Sequence, residues 1–254
     1  MERQELFYPD IQVQIGQYIF KKGISLKTFS EKESPFDWGK LCFTEPYKNE
    51  IALQASDEVT VSLGYDGKLQ EVFIGNLVKG YDGAENLNEI IFKDRMLLLE
   101  RTRIKATYIN CTPQEIVRDA LQKAGITEYQ LTDTAYPVMP MVPVVDKSAV
   151  EVLKQINTIW GIGLHGGFIR GVFYWGVAPN QKEILEFVYA ENIISLDRSR
   201  EMWELVTVSI PSMQHSQQIK ITHPKITGIF EVEKVIFTTN DGGFIRTSIY
   251  FREE

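Results

Sequence analysis

The segment with the clearest chemical potential is Gly161-Ile162-Gly163-Leu164-His165-Gly166, which satisfies the G-x-G-x-x-G pattern that cradles dinucleotide phosphates. In such a site the glycines follow a strand and open a helix, so that the pyrophosphate meets the helix N-terminus. Here they follow a segment of helical periodicity and lead toward a strand. The spacing therefore predicts a helix C-cap and turn, and no cofactor is expected. The histidines are His165, His215 and His223. None has the H-x-x-x-H or H-E-x-x-H spacing that sets two imidazoles on one helix face, so no metal site is expected, and His165 reads as a loop or edge residue. No G-x-S-x-G elbow occurs, and neither Cys42 nor Cys111 has a catalytic neighbourhood, so no catalytic residue is assigned. Pairs such as Asp94 with Glu100, or Glu183 with Glu186, could be nominated for glycoside hydrolysis. That chemistry is defined by separation in space and not in sequence, and a solvated surface role is expected for each. Phe173, Tyr174 and Trp175 could form a sugar-stacking platform or pack a core, and packing is the expected role.

What must position these residues follows from length and pattern. At 254 residues the chain is near the size, roughly 250–300 residues, at which one core stops growing, so two or three small domains are expected. Hydrophobic residues make up 44% and charged residues 24%, which excludes intrinsic disorder. Acidic residues outnumber basic ones, 34 to 27, and the net charge of -7 argues against specific nucleic-acid binding. No apolar run approaches the ~18–20 residues of a membrane span, and MERQELFYPD lacks a signal-peptide core. Synthesis and assembly in a reducing cytoplasm are expected, with both cysteines as packing residues.

The first ~100 residues alternate with period two between turn signals, as half-buried strands do. In EVTVSLGYDGKLQEVFIGNLVKG, Val59, Val61 and Leu63 alternate before Asp66-Gly67, which suits a type I′ hairpin turn. Asn86 to Lys93 predicts another strand, and Arg95 to Arg101 a short helix. In NCTPQEIVRDALQKAG, Thr112 caps, Pro113 fits the first turn, Glu115 completes a capping box and Gly125 stops the helix. KSAVEVLKQINTIWG repeats the logic with Ser148, Glu151 and Gly161. Between them Pro137, Pro140 and Pro143 lack backbone donors, so only Val142 to Val145 is expected to reach a sheet edge. Beyond Gly163 strands return: a hairpin through GLHGGFIRG and VFYWG, then EFVYA, NIISL and a last hairpin turning at Asn240 to Gly243. The fold class is mainly β with some α: a β-barrel-like domain over 1–94, an α/β insert over 95–180, and a second β-barrel-like domain over 181–254.

The succession of these pieces resembles the hub proteins of phage baseplates, the late control D group, related to the hub part of type VI secretion spikes. The resemblance runs over most of the chain. It rests on the Asp66-Gly67 hairpin with Phe73, Gly75 and Gly80, the DRMLLLE segment, and the T-P-Q-E-I-V helix. The Pro-broken strand, VEVLKQINTIWG, GGFIRGVFYWG and THPKITGIFEVEKVIFTTNDGGFIRTSIYF complete it. It implies a structural, non-enzymatic subunit without cofactors, three copies of which form a ring that adapts a sixfold tail tube to a threefold spike. The implied partners are the tail tube protein, the spike protein, the tape-measure protein, a LysM-bearing baseplate protein and wedge subunits, with assembly in the host cytoplasm. DNA would pass a ring of this acidity without sticking. The chain ends soon after the last hairpin, so a fused lysozyme or spike is not expected. The alternative is a carbohydrate-active or cell-wall-degrading tail-associated β-protein built on two carboxylates and the aromatics Phe173 to Trp175.

Overall fold

The computed structural model describes residues 8–44, 51–81, 89–163, 166–177, 179–240 and 242–253. Two compact units emerge: Met1–Asp94 with Gln181–Glu254, and Arg95–Asn180. The first unit holds β1 (Pro9–Ile15), β2 (Tyr18–Phe20), β3 (Ile24–Glu31), β4 (Trp38–Phe43), β5 (Glu58–Tyr65), β6 (Lys68–Leu77) and β7 (Glu89–Asp94). The second holds α1 (Met96–Arg101), β8 (Arg103–Cys111), α2 (Pro113–Lys123), β9 (Tyr129–Leu131), β10 (Met139–Ser148), α3 (Ala149–Trp160), β11 (Gly166–Ile169) and β12 (Val172–Trp175). The first unit resumes with β13 (Leu185–Val188), β14 (Ser195–Ser199), β15 (Met202–Val208), β16 (Gln218–His223), β17 (Ile226–Thr239) and β18 (Ile245–Arg252).

The strands of the first unit form one 13-stranded sheet. Within it the N-terminal segment runs β3-β4-β7-β6-β5-β1, with β2 beyond β1, and the C-terminal segment runs β14-β15-β18-β17-β16-β13. Numbered by position within its own segment, and setting β2 aside, each follows the same order, 2-3-6-5-4-1. One direction differs: β1 and β5 are antiparallel, whereas β13 and β16 are parallel. The mainly-β class therefore holds, but among the described residues neither ladder closes into a barrel. Among the described residues no backbone pairing joins β1 to β3 or β13 to β14. In the C-terminal segment side chains bridge the gap instead. Asn192 Oδ1 accepts the Val188 N–H at 2.7 Å, its Nδ2 donates to the Glu186 carbonyl at 2.9 Å, and its own carbonyl accepts the Thr207 hydroxyl at 2.6 Å. Lys225 Nζ, from the β16–β17 turn, donates to the Leu196 carbonyl of β14 at 2.7 Å.

The two segments are joined along β17. Its first half, Ile226 to Glu231, pairs with β16, and its second half, Lys234 to Thr239, pairs with β3. The changeover falls where a bulge interrupts its pairing with β18, between Val232 and Lys234. A bulge bends and twists a strand, which lets one strand serve two partners in succession. The inward faces alternate as β-periodicity requires, and one hydrophobic cluster includes Val13, Val59, Leu63 and Phe92 from the N-terminal segment with Phe187, Leu205, Phe237 and Phe251 from the C-terminal one.

Local expectations are met where turn and cap chemistry is explicit. Asp66 and Gly67 have φ of 54° and 76°, as a type I′ turn demands, and Arg170-Gly171 repeats this between β11 and β12 with 49° and 77°. In α2, Thr112 and Glu115 make the capping box and Pro113 starts the helix. In α3, the Glu151 N–H donates to Ser148 Oγ at 3.2 Å, the Ser148 N–H donates to Glu151 Oε2 at 2.7 Å, and Gly161 ends the helix in the left-handed region. Replacing Ser148 with alanine is expected to cost about 1 kcal/mol, read as a lowered urea midpoint with an unchanged m-value.

Other expectations need correction. The Pro-rich strand begins at Met139, not Val142, because β10 has β8 as its single strand partner among the described residues. An edge strand tolerates missing donors, and the Pro143 carbonyl is taken by Gln155 Nε2 at 3.0 Å. NIISL forms its strand later, from Ser195 to Ser199. Asn86 to Asn88, and Leu164 with His165 in the glycine motif, lie outside the described residues.

Candidate interaction surface

The residues singled out for chemistry are dispersed. Gly161 is the C-cap of α3 and Gly166 begins β11, so the described part of the glycine motif follows a helix and precedes a strand. His215 contacts Ser216 Oγ at 2.9 Å, and burial lowers its pKa. The His223 ring packs edge-on against Tyr189 at 4.7 Å. Asp94 is buried and its Oδ2 accepts the Asp37 N–H at 2.9 Å, Glu100 is exposed, and Glu186 is held by Lys220 at 2.9 Å. Glu183 is exposed and its carbonyl accepts from Gln181 Nε2. Cys42 is half-buried and its thiol donates to Glu89 at 3.6 Å, while burial first and the Glu89 charge second push its pKa up. Cys111 is buried.

Phe173 and Trp175 are fully buried on the inward face of β12, with the Phe168 ring packed edge-on against Phe173 at 5.1 Å and Tyr136 beside Trp175 at 6.2 Å. A platform that stacks on sugars must be exposed, so these two rings pack a core. Among the described residues no group of three or more His, Cys, Asp or Glu side chains could hold a metal ion, and no helix is long and apolar enough to cross a membrane. Surface depressions of about 430 Å³ beside Tyr189 and Lys225, and about 580 Å³ beside Phe230 and Arg252, gather no catalytic constellation.

What the surface does offer is strand faces and edges. In the second unit β8 and β10 form a two-stranded ribbon. Its inner row, Ile104, Val142 and Val144, is buried, and α2 and α3 pack against the ribbon. Its outer row carries Thr107, Ile109, Met141, Pro143 and Val145, with Met141 directly opposite Ile109. Ile109 and Met141 are each 61% exposed and Val145 is 71% exposed, an unusual display for a strand pair whose other face is already a core. Sequence reasoning misses this face. The available signal was Ile109, an apolar residue in phase with Arg103, Lys105 and Thr107 and out of phase with Ile104.

Polar latches hold the ribbon to its helices. Tyr108 Oη donates to Asp119 of α2 at 2.5 Å, and Lys123 meets the same carboxylate at 2.6 Å. Burial first, then the Asp119 acceptor, raises the Tyr108 pKa. Arg103 pairs with Asp146 at 3.2 Å and Glu151 at 3.5 Å. Its guanidinium lowers the Asp146 pKa, while the capping N–H of Ser148 is the first cause for Glu151.

No protein-family model matches the chain, and no curated protein does. Solved structures do. The tail protein from Neisseria meningitidis MC58 is similar with a TM-score of 0.70 and 12% identity, over 98% of this chain and 97% of that one. The 43 kDa tail protein of prophage MuSo2 from Shewanella oneidensis gives a TM-score of 0.69 and 12% identity, over 96% and 97%. The fold is thus one that phage tail proteins adopt. It is shared with the E. coli c3393 protein, described as a component of the type VI secretion system with structural similarity to the T4 bacteriophage tail proteins gp27 and gp5. That likeness has a TM-score of 0.63 and 11% identity, over 95% of this chain and 76% of the other.

Proposed function

We propose that the chain is a structural subunit of a phage or phage-like tail, acting as its baseplate hub, without catalysis and without cofactors. The observation that carries this reading is the repetition of one strand order, 2-3-6-5-4-1, in two segments of a single chain. Two look-alike modules per chain let three chains present six near-equivalent surfaces, which is what joining a threefold spike to a sixfold tube requires. The segments 1–94 and 181–254 are the two modules on this reading, and 95–180 is the insert. Tube, spike and tape-measure proteins are the partners, with a LysM-bearing baseplate protein and wedge subunits around them, in a virion tail assembled in the host cytoplasm. Phage, bacteriocin-like and secretion machines would all use the chain in the same way.

Analytical ultracentrifugation is expected to show concentration-dependent trimers, favoured further by the tube protein. Monomers alone at high concentration, with the tube protein present, would count against the hub. Purified cell walls are expected to keep their turbidity on addition of the protein.

A further inference from the structure

We infer that the free edges of β6 and β17 are two equivalent seats, each taking an extended strand of the tail tube protein by main-chain pairing. The inference rests on the hub reading and names the surface on which its tube would sit. A chain that meets six copies of one partner through three copies of itself must offer the same element twice.

The fifth strand of each segment is such an element. β6 pairs with β5 from Lys68 onward, but with β7 only over Gly75 to Leu77. β17 pairs with β16 from Ile226 onward, but with β18 only from Val232. In both, the start of the strand runs beside its hairpin partner, and its other edge is unpaired among the described residues. The two also point the same way. Successive antiparallel pairings lead from β17 through β3, β4 and β7 to β6, and four reversals restore the direction. The turns at Asp66-Gly67 and Pro224-Lys225 therefore lie at one margin of the sheet, roughly 19 Å apart at about 4.8 Å per strand.

What these edges offer is backbone. An antiparallel ladder turns alternate residues toward and away from its partner. The Val232 N–H donates to the Gln217 carbonyl at 2.8 Å, and alternation from there aims the N–H and C=O of Thr227, Ile229 and Glu231 away from β16. In β6 the same alternation from the Tyr65–Lys68 pair aims those of Leu69 and Glu71 away from β5. Lys68 to Glu71 are all exposed, and Ile229 is 58% exposed. Elsewhere in the C-terminal segment open edges are guarded. The Asn192 amide occupies that of β13, and Lys225 takes the Leu196 carbonyl of β14. The two stretches share no side-chain pattern, Lys-Leu-Gln-Glu-Val against Ile-Thr-Gly-Ile-Phe. Strand addition draws its affinity from the main chain, so two unlike stretches suit one partner.

The test is residue-resolved amide hydrogen exchange on the full chain, alone and with the tube protein of the same particle, beside binding of a Leu69→Pro and Ile229→Pro double variant. Proline removes the outward N–H at each seat and leaves the hairpin's own bonds in place, which a thermal melt of the variant checks. The expected result is exchange at Leu69, Glu71, Thr227, Ile229 and Glu231 slowed at least tenfold by the tube protein, and at least tenfold weaker binding by the variant. If the variant does not fold, exchange in the wild type decides. Tube protein that binds while these amides exchange as before, or that protects one edge only, overturns the paired seats and leaves the hub standing. A folded variant that binds as tightly as wild type overturns strand addition. Protection that appears at high concentration without the tube protein makes a second copy the occupant and overturns the tube as partner. A chain that does not bind the tube protein at all overturns the seats and the hub together.

Discussion

Replacing Phe92 with alanine is expected to remove about 3–5 kcal/mol, against a total of the order of 5–15 kcal/mol for a domain. The side chain is fully buried, and its ring meets Phe73 edge-on at 4.9 Å. Its strand, β7, lies between β4 and β6, with Phe92 opposite Gly39 on one side and Leu77 on the other. The ring covers Gly39 so closely that a Cβ there would sit 2.4 Å from Phe92 Cε2 and 2.9 Å from the Lys27 carbonyl. Gly39→Ala alone should therefore also destabilise. Combined with Phe92→Ala it should cost less than the two separate losses added together, because the deleted ring vacates the space the new methyl needs. Urea unfolding of the four proteins in that cycle checks both statements, and strictly additive losses would show that the ring and the glycine are not coupled.

The second large effect concerns acidity. Asp37, in the loop between β3 and β4, holds its proton up to about pH 7, because burial outweighs hydrogen bonds from Ser30 and from the Glu31 backbone. In the unfolded chain the same carboxyl ionises near its ordinary value of 3.8. Between those two values the folded state binds a proton that the unfolded state has lost. Stability from this group is therefore full below about pH 4, declines as pH rises toward about 7, and is level above that. Asp37→Asn keeps the acceptor and removes the titration. The variant is expected to gain about 2–4 kcal/mol over wild type at pH 8 relative to the same comparison at pH 4, with the lower half favoured because Asp37 retains some exposure. Thermal melts of both proteins from pH 4 to 8 measure this directly. Parallel profiles would show that Asp37 ionises normally in the fold.

Legibility of the fold divides by the range of the interactions. Thr112, Ser148, Gly161 and Asp66-Gly67 could be read from sequence because caps and type I′ turns are satisfied within a few residues. The strand register of β3 against β17 could not, since nothing near Phe29 encodes that its partner is Ile236. Prolines at 140 and 143 argued against a strand that forms anyway; at Pro143 the lost donor lies on the edge away from β8, where Gln155 takes the carbonyl. The mainly-β class and the inward packing of Phe173 and Trp175 were readable from alternation and turn signals. The exposed ribbon face was not, since it is the burial of the other face by α2 and α3 that singles it out.

The sharing of β17 governs how the chain can be made. A nascent polypeptide emits β3 early but must wait some two hundred residues for the strand that covers it, so its N-terminal third leaves the ribosome with an adhesive margin. Such distant closure makes for slow folding, and a prematurely terminated product would lack its seal. Folding of this subunit therefore cannot be complete until β17 has been made.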